Sequence, residues 1–106
     1  MHVLPSLVCK LTHAHEAWVV GSAANPEADH ATVRDYDVLV PLTHWQNAAM
    51  LIPVDAKPNT FGGWKCVSEG REVDVWPGDL ASLMTNRAAS WAWHPRTGVR
   101  LSVHNH

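Results

Sequence analysis

A chain of 106 residues has room for a single modest core and excludes an architecture that carries a separate substrate domain. Its 46% hydrophobic and 17% charged residues are those of an ordinary globular protein, which sets aside disorder and low complexity. Eight Lys and Arg against ten Asp and Glu leave a net charge of -2, so general nucleic-acid binding through a basic field is excluded and any polyanion must be met locally.

A Ser6 cap and the helical spacing of Leu7, Leu11 and Ala14 predict a first helix over 6–16. The apolar run 17–21, "AWVVG", predicts a short buried strand that its glycine turns. Residues 22–34 read as a loop, and "DYDVLVPL" as a second strand stopped near Pro41. Thr43 is placed to cap a helix through "HWQNAAML", followed by a loop over "VDAKPN". "TFGGWKCV" and "REVDVW" flank the short connection "SEG" and predict a hairpin, with a short helix over "PGDLASLM" opened by Pro77. "SWAWHPRTGVRLSV" alternates on both sides of a turn signal and predicts a terminal hairpin. The expected fold is a single α+β domain over 1–106, with a mixed or antiparallel sheet flanked by helices.

No apolar run approaches the roughly 20 residues that cross a bilayer, and the N-terminus lacks the regions of a signal peptide, so no membrane partner and a cytoplasmic location are expected. Cys9 and Cys66 read as reduced, half-buried thiols without a chemical role. The eight histidines show no zinc spacing: His13 and His15 diverge on a helix, His104 and His106 lie at the end of the chain, and His94 is expected to be partly buried at most. Six tryptophans are assigned to packing, with Trp64 or Phe61 as the alternative platform for a base.

The strand stretches contain acids where a lone carboxylate is costly. Alternation sends Asp35, Asp37 and Leu39 to one face and Tyr36, Val38 and Val40 to the other. By the same rule Asp74 leaves the core with Glu72 and Trp76, while Val73 and Val75 enter it. If the two strands are neighbours, three carboxylates share a face, and a divalent cation relieves their repulsion. Mg²⁺ or Mn²⁺ takes hard oxygen ligands, and a pair of such ions about 3.5–4 Å apart serves phosphoryl transfer. Asp35 and Asp37 are expected to bridge the ions, and Asp74 to bind one and accept a proton. Gly21-Ser22 offers backbone N–H groups and a hydroxyl to a phosphate. Lys65 is the first choice among Lys57, Lys65, Arg34 and Arg71 for neutralising a triphosphate, and Gly62-Gly63 provides either close approach for a nucleotide or a bulge.

"VVGSAA" at 19–24, "RDYDVLV" at 34–40 and "EVDVW" at 72–76 stand in the order of the hydrophobic-Gly-Ser, Asp-x-Asp and hydrophobic-Asp-hydrophobic elements of the DNA polymerase β-like nucleotidyltransferase superfamily, which residues 17–80 resemble. The resemblance implies a small palm-like sheet and two-metal transfer of a nucleoside monophosphate from an NTP, ATP among them, to a hydroxyl of a protein, RNA or small molecule. It puts Gly21 and Ser22 on the triphosphate and Asp35, Asp37 and Asp74 on the metal. This chain departs from the pattern in having no helical second domain and no arginine soon after Gly-Ser. A protein partner or self-association is therefore expected to complete the acceptor site. An inactive nucleotidyltransferase-like module that docks on or inhibits another protein is the alternative, and a phosphohydrolase using the same acids on water is a third reading.

Overall fold

The computed structural model describes residues 4–60, 62–83 and 91–102. Valine, tyrosine and tryptophan, which favour extended backbone, recur through the central strands. These are β1 (Trp18–Val20), β2 (Asp35–Val40), β3 (Lys57–Pro58), β4 (Trp64–Ser68), β5 (Arg71–Pro77), β6 (Trp91–His94) and β7 (Val99–Ser102). They form one seven-stranded mixed sheet in the order β3-β4-β5-β2-β1-β6-β7. Only β2 and β5 pair parallel; the other neighbours are antiparallel. The α+β class and both hairpins agree with the sequence reading. β3 is an addition, a two-residue strand inside the stretch expected to be a loop.

One face of the sheet carries the main core. Val19, Tyr36, Val38, Val40, Cys66, Val73 and Val75 pack there against Leu7, Val8 and Leu11 of α1 (Ser6–Ala14) and Ala48 of α2 (Trp45–Ala49). Burying each such aliphatic side chain contributes about 1.5–3 kcal/mol, so this face anchors the strands whose other face carries the acids. On that second face, Val20, Leu39 and Ala92 form a smaller cluster with Trp18, Trp76 and Leu80, the last on α3 (Leu80–Leu83).

The caps differ from expectation. Ser6 is the first residue of α1 rather than its cap, and its N–H donates to Glu69 Oε1 at 2.7 Å, so the β4–β5 turn caps the helix from 63 residues away. Thr43 lies within a 3₁₀ turn over Leu42–His44, and α2 begins after it without a side-chain cap. The β4–β5 connection puts Glu69 and Gly70 at φ 53° and 80°, the left-handed pair that matches a two-residue hairpin to strand twist.

Two sequence assignments are corrected and one alternative is closed. Trp64 packs as assigned: it stands opposite Val75 in register and faces the main-core side, where it lines an apolar hollow with Ala49, Ile52, Pro53, Val54 and Ala56, so it is not available to a base beside the carboxylates. Arg71 also turns away from them, donating to the His30 carbonyl at 3.0 Å and lying over the Tyr36 ring. His94 is 5% exposed, beyond the partial burial expected, because its ring packs edge-on against Trp18 and its Nδ1 meets Thr97. Phe61, His104 and His106 lie outside the described residues. Among the described residues, no helix is long and apolar enough to cross a membrane.

The loop before β2 is held on the main-core side. His30 hydrogen-bonds the Tyr36 hydroxyl at 3.0 Å and stacks on Trp93, and Arg100 lies over Trp93 while donating to the Ala24 carbonyl at 2.9 Å. Burial, then Arg100 and Arg71, push the His30 imidazole below its ordinary value of 6.5. Its contribution to stability is therefore complete above that value and is lost as pH falls below it.

Gly63, just before β4, has the least room of the described glycines. A Cβ there would stand 1.8 Å from the Val75 carbonyl oxygen, whereas one on Gly62 would meet nothing within 4 Å. The room between Gly63 and β5 is thus filled by backbone and admits no nucleotide. Gly63→Ala is expected to cost about 3 kcal/mol in urea unfolding and Gly62→Ala, strained only by its φ, about 1 kcal/mol; equal losses would contradict this packing.

Candidate functional site

The parallel pairing of β2 and β5 sets Asp35 opposite Glu72 and Asp37 opposite Asp74. Paired residues point to the same face, and neighbouring strands lie about 4.8 Å apart. Asp37 and Asp74 are both half-buried, and Asp35 is exposed one strand repeat, about 6.7 Å, further along. Sequence alternation had placed all three acids on one face; the register supplies the adjacency.

A single row crosses the sheet through the pair. Lys57 opposes Lys65, Lys65 opposes Asp74, Asp74 opposes Asp37, and Asp37 opposes Val20. Two cations, two anions and an apolar residue thus lie side by side. Lys65 Nζ stands 3.8 Å from Glu72 Oε1, both ends half-exposed, a pair too weak and too wet to fix the lysine.

Gly21 follows Val20 and closes the site on the β1 side. Its φ of +79° suits glycine, and a Cβ there would come within 3.3 Å of Asp37 Oδ2. The chain then enters a 3₁₀ turn over Gly21–Ala24, with Ser22 exposed. Gly21 is thus beside Asp37, and Ser22 follows it in the turn.

Asp37 is the electrostatic centre. Burial, then Asp74, then Asp35 push its carboxyl from 3.8 up to about 6, with Lys65 opposing. Among the described residues, no three His, Cys, Asp or Glu side chains gather closely enough to hold a metal ion between them, so the protein alone does not close a cage. The donor set still suits a hard divalent cation: carboxylate oxygens only, two of them paired across parallel strands, with the Asp37 carboxyl pushed up to about 6 by burial and then by its acidic neighbours. Mg²⁺ usually takes one or two carboxylates and completes its shell with phosphates and water, which this open pair permits.

Sequence reading missed Asn59. Its Nδ2 lies 3.4 Å from Asp74 Oδ1, and its Oδ1 accepts from the Gly63 N–H at 2.9 Å. The only signal was an Asn ahead of Gly-Gly, a residue type that favours local bonds to backbone. Comparison with protein-family models, curated proteins and solved structures finds no match for this chain.

The raised value for Asp37 has a definite sign. Above about pH 6 the carboxylate is charged whether folded or not, and the fold carries the whole repulsion; below 3.8 it is protonated in both states and the cost is gone. Asp37→Asn is therefore expected to raise Tm in metal-free buffer by about 4 °C at pH 7.5 and by almost nothing near pH 4. Scanning calorimetry at the two pH values checks this, and an equal shift at both would show that Asp37 carries no such strain.

Proposed function

We propose that the protein is a minimal metal-dependent nucleotidyltransferase of the cytoplasm, transferring a nucleoside monophosphate from an NTP to a hydroxyl acceptor. The supporting observation is the Asp37–Asp74 pair on neighbouring parallel strands beside the Gly21 turn.

In this reading Asp37 and Asp74, with Asp35 at the exposed end, hold Mg²⁺ or Mn²⁺. The bound ion supplies charge neutralisation and Lewis acidity at the phosphates. Gly21 N–H and the Ser22 hydroxyl donate to the triphosphate, and Lys65 turns from Glu72 to meet its charge. The acceptor oxygen attacks the α-phosphorus in line, and the new P–O bond forms as the bond to pyrophosphate breaks. Pyrophosphate leaves with the bonding electrons, and the acceptor's proton passes to the Asp74 carboxylate. A protein partner or a second copy supplies the surface that holds the acceptor.

Asp37→Asn and Asp74→Asn are each expected to lower transfer from α-labelled NTP in Mg²⁺ by about 10²–10³-fold with the fold retained, since a metal's charge stabilisation is worth several kcal/mol. Label transfer undiminished in both variants would end the catalytic reading.

A second reading, an inactive nucleotidyltransferase-like module that docks on or inhibits another protein, is favoured by a different observation. Val54, beside the hollow that Trp64 lines, is fully exposed, and Met50 nearby in sequence is largely so. Thermal melting with Mg²⁺ and each NTP separates the two, because a ligand of the native state raises Tm by mass action and a docking module would show no shift.

A further inference from the structure

Asn59 sits between β3 and β4, next to the carboxylate row. Its backbone N–H donates to the Gly63 carbonyl at 3.0 Å, and its Oδ1 accepts from the Gly63 N–H at 2.9 Å, so the residue closes a five-residue turn with both main chain and side chain. The orientation of the carboxamide follows from this. Gly63 N–H needs an acceptor, which points Oδ1 at the turn and leaves the amide nitrogen facing β4 and β5.

That nitrogen has two protons and, among the described residues, reaches the Trp64 carbonyl at 3.1 Å, the Val75 carbonyl at 3.3 Å and Asp74 Oδ1 at 3.4 Å. The two carbonyls belong to one register pair of β4 and β5, Trp64 opposite Val75, next to the pair of Lys65 and Asp74. Gly63 passes so close to β5 that even a methyl group there would overlap the Val75 carbonyl, and the Asn59 amide's bond to that same carbonyl ties the turn to the strand. The amide is therefore fixed at both ends, to the turn it closes and to the strand that bears Asp74.

We infer that Asn59 is a positioning residue for Asp74, its amide holding one carboxylate oxygen so that the other faces Asp37 and the cation. The inference rests on the reading of Asp74 as a metal ligand. Carboxylates that ligate metals are oriented by outer hydrogen bonds, and loss of such a partner typically weakens metal binding 10–100-fold. Lys65, half-exposed and held only by a 3.8 Å pair with Glu72, is too mobile a partner to set the orientation of that carboxylate.

The test is Mn²⁺ affinity of the full chain, read from the resonance of free Mn²⁺, for wild type, Asn59→Ala, Asp74→Ala and the double variant, each well below its Tm. Asn59→Ala is expected to raise the Mn²⁺ Kd about tenfold. That loss should vanish in the Asp74→Ala background, because Asn59 acts through that carboxylate. Should Asn59→Ala not fold, Asn59→Ser replaces it: its hydroxyl accepts from the Gly63 N–H but is too short to reach Asp74. A residue serving only the turn would lower Tm and leave the Mn²⁺ Kd unchanged, and that result overturns the inference while leaving the metal site standing. If Asp74→Ala itself does not weaken Mn²⁺ binding, both fall together.

Discussion

Two carboxylates lie side by side on the parallel pair of β2 and β5, and the surrounding residues are arranged around that repulsion. Asp37 and Asp74 are half-buried and adjacent, so in the absence of a cation the fold is destabilised by holding them together. The apolar faces of the same strands offset it. Tyr36 and Val38 flank Asp37, Val73 and Val75 flank Asp74, and all four are buried on the opposite side. A strand holds both requirements at once because its side chains alternate, which is why the acids lie in stretches that otherwise read as core.

The surroundings follow from that pair. Glycine is required where β1 ends because the chain must turn with positive φ against the Asp37 carboxylate. The lysines lie one and two strands away on the Asp74 side, so charge changes sign along a single row of the sheet. On the main-core side, Arg71 and Arg100 hold the loop before β2 through His30, Tyr36 and Trp93, which fixes where Asp35 and Asp37 enter the sheet. Acid acts on these two regions in opposite directions: it relieves Asp37 and weakens the packing around His30.

Local pattern made most of this readable from the residues. Alternation in 35–40 and 72–76 assigned the faces, the Gly21 punctuation ended β1, and the turn signals near 69–70 and 95–98 marked both hairpins. What could not be read depends on contacts distant in sequence. The parallel register of β2 and β5 joins residues 37 apart, and no local pattern states it. Glu69 caps α1 from across the chain, Asn59 reaches Asp74 over 15 residues, and Arg71 is drawn away from the acids by the His30 carbonyl. Trp64 packs as its residue type suggested, but the face its strand presents, which closes the base-platform alternative, is set by its pairing with β5. The nucleotidyltransferase reading thus joins a motif order seen in sequence to a juxtaposition seen in three dimensions.

The most direct test of the juxtaposition is a carboxylate ¹³C titration of Asp37 by NMR, in wild type and in Asp74→Asn, with and without Mg²⁺. A midpoint near 6 that falls on removal of the Asp74 charge, and falls further when Mg²⁺ is added, is expected if the two acids share a cation site. A midpoint at the ordinary 3.8, indifferent to Asp74 and to Mg²⁺, would contradict it.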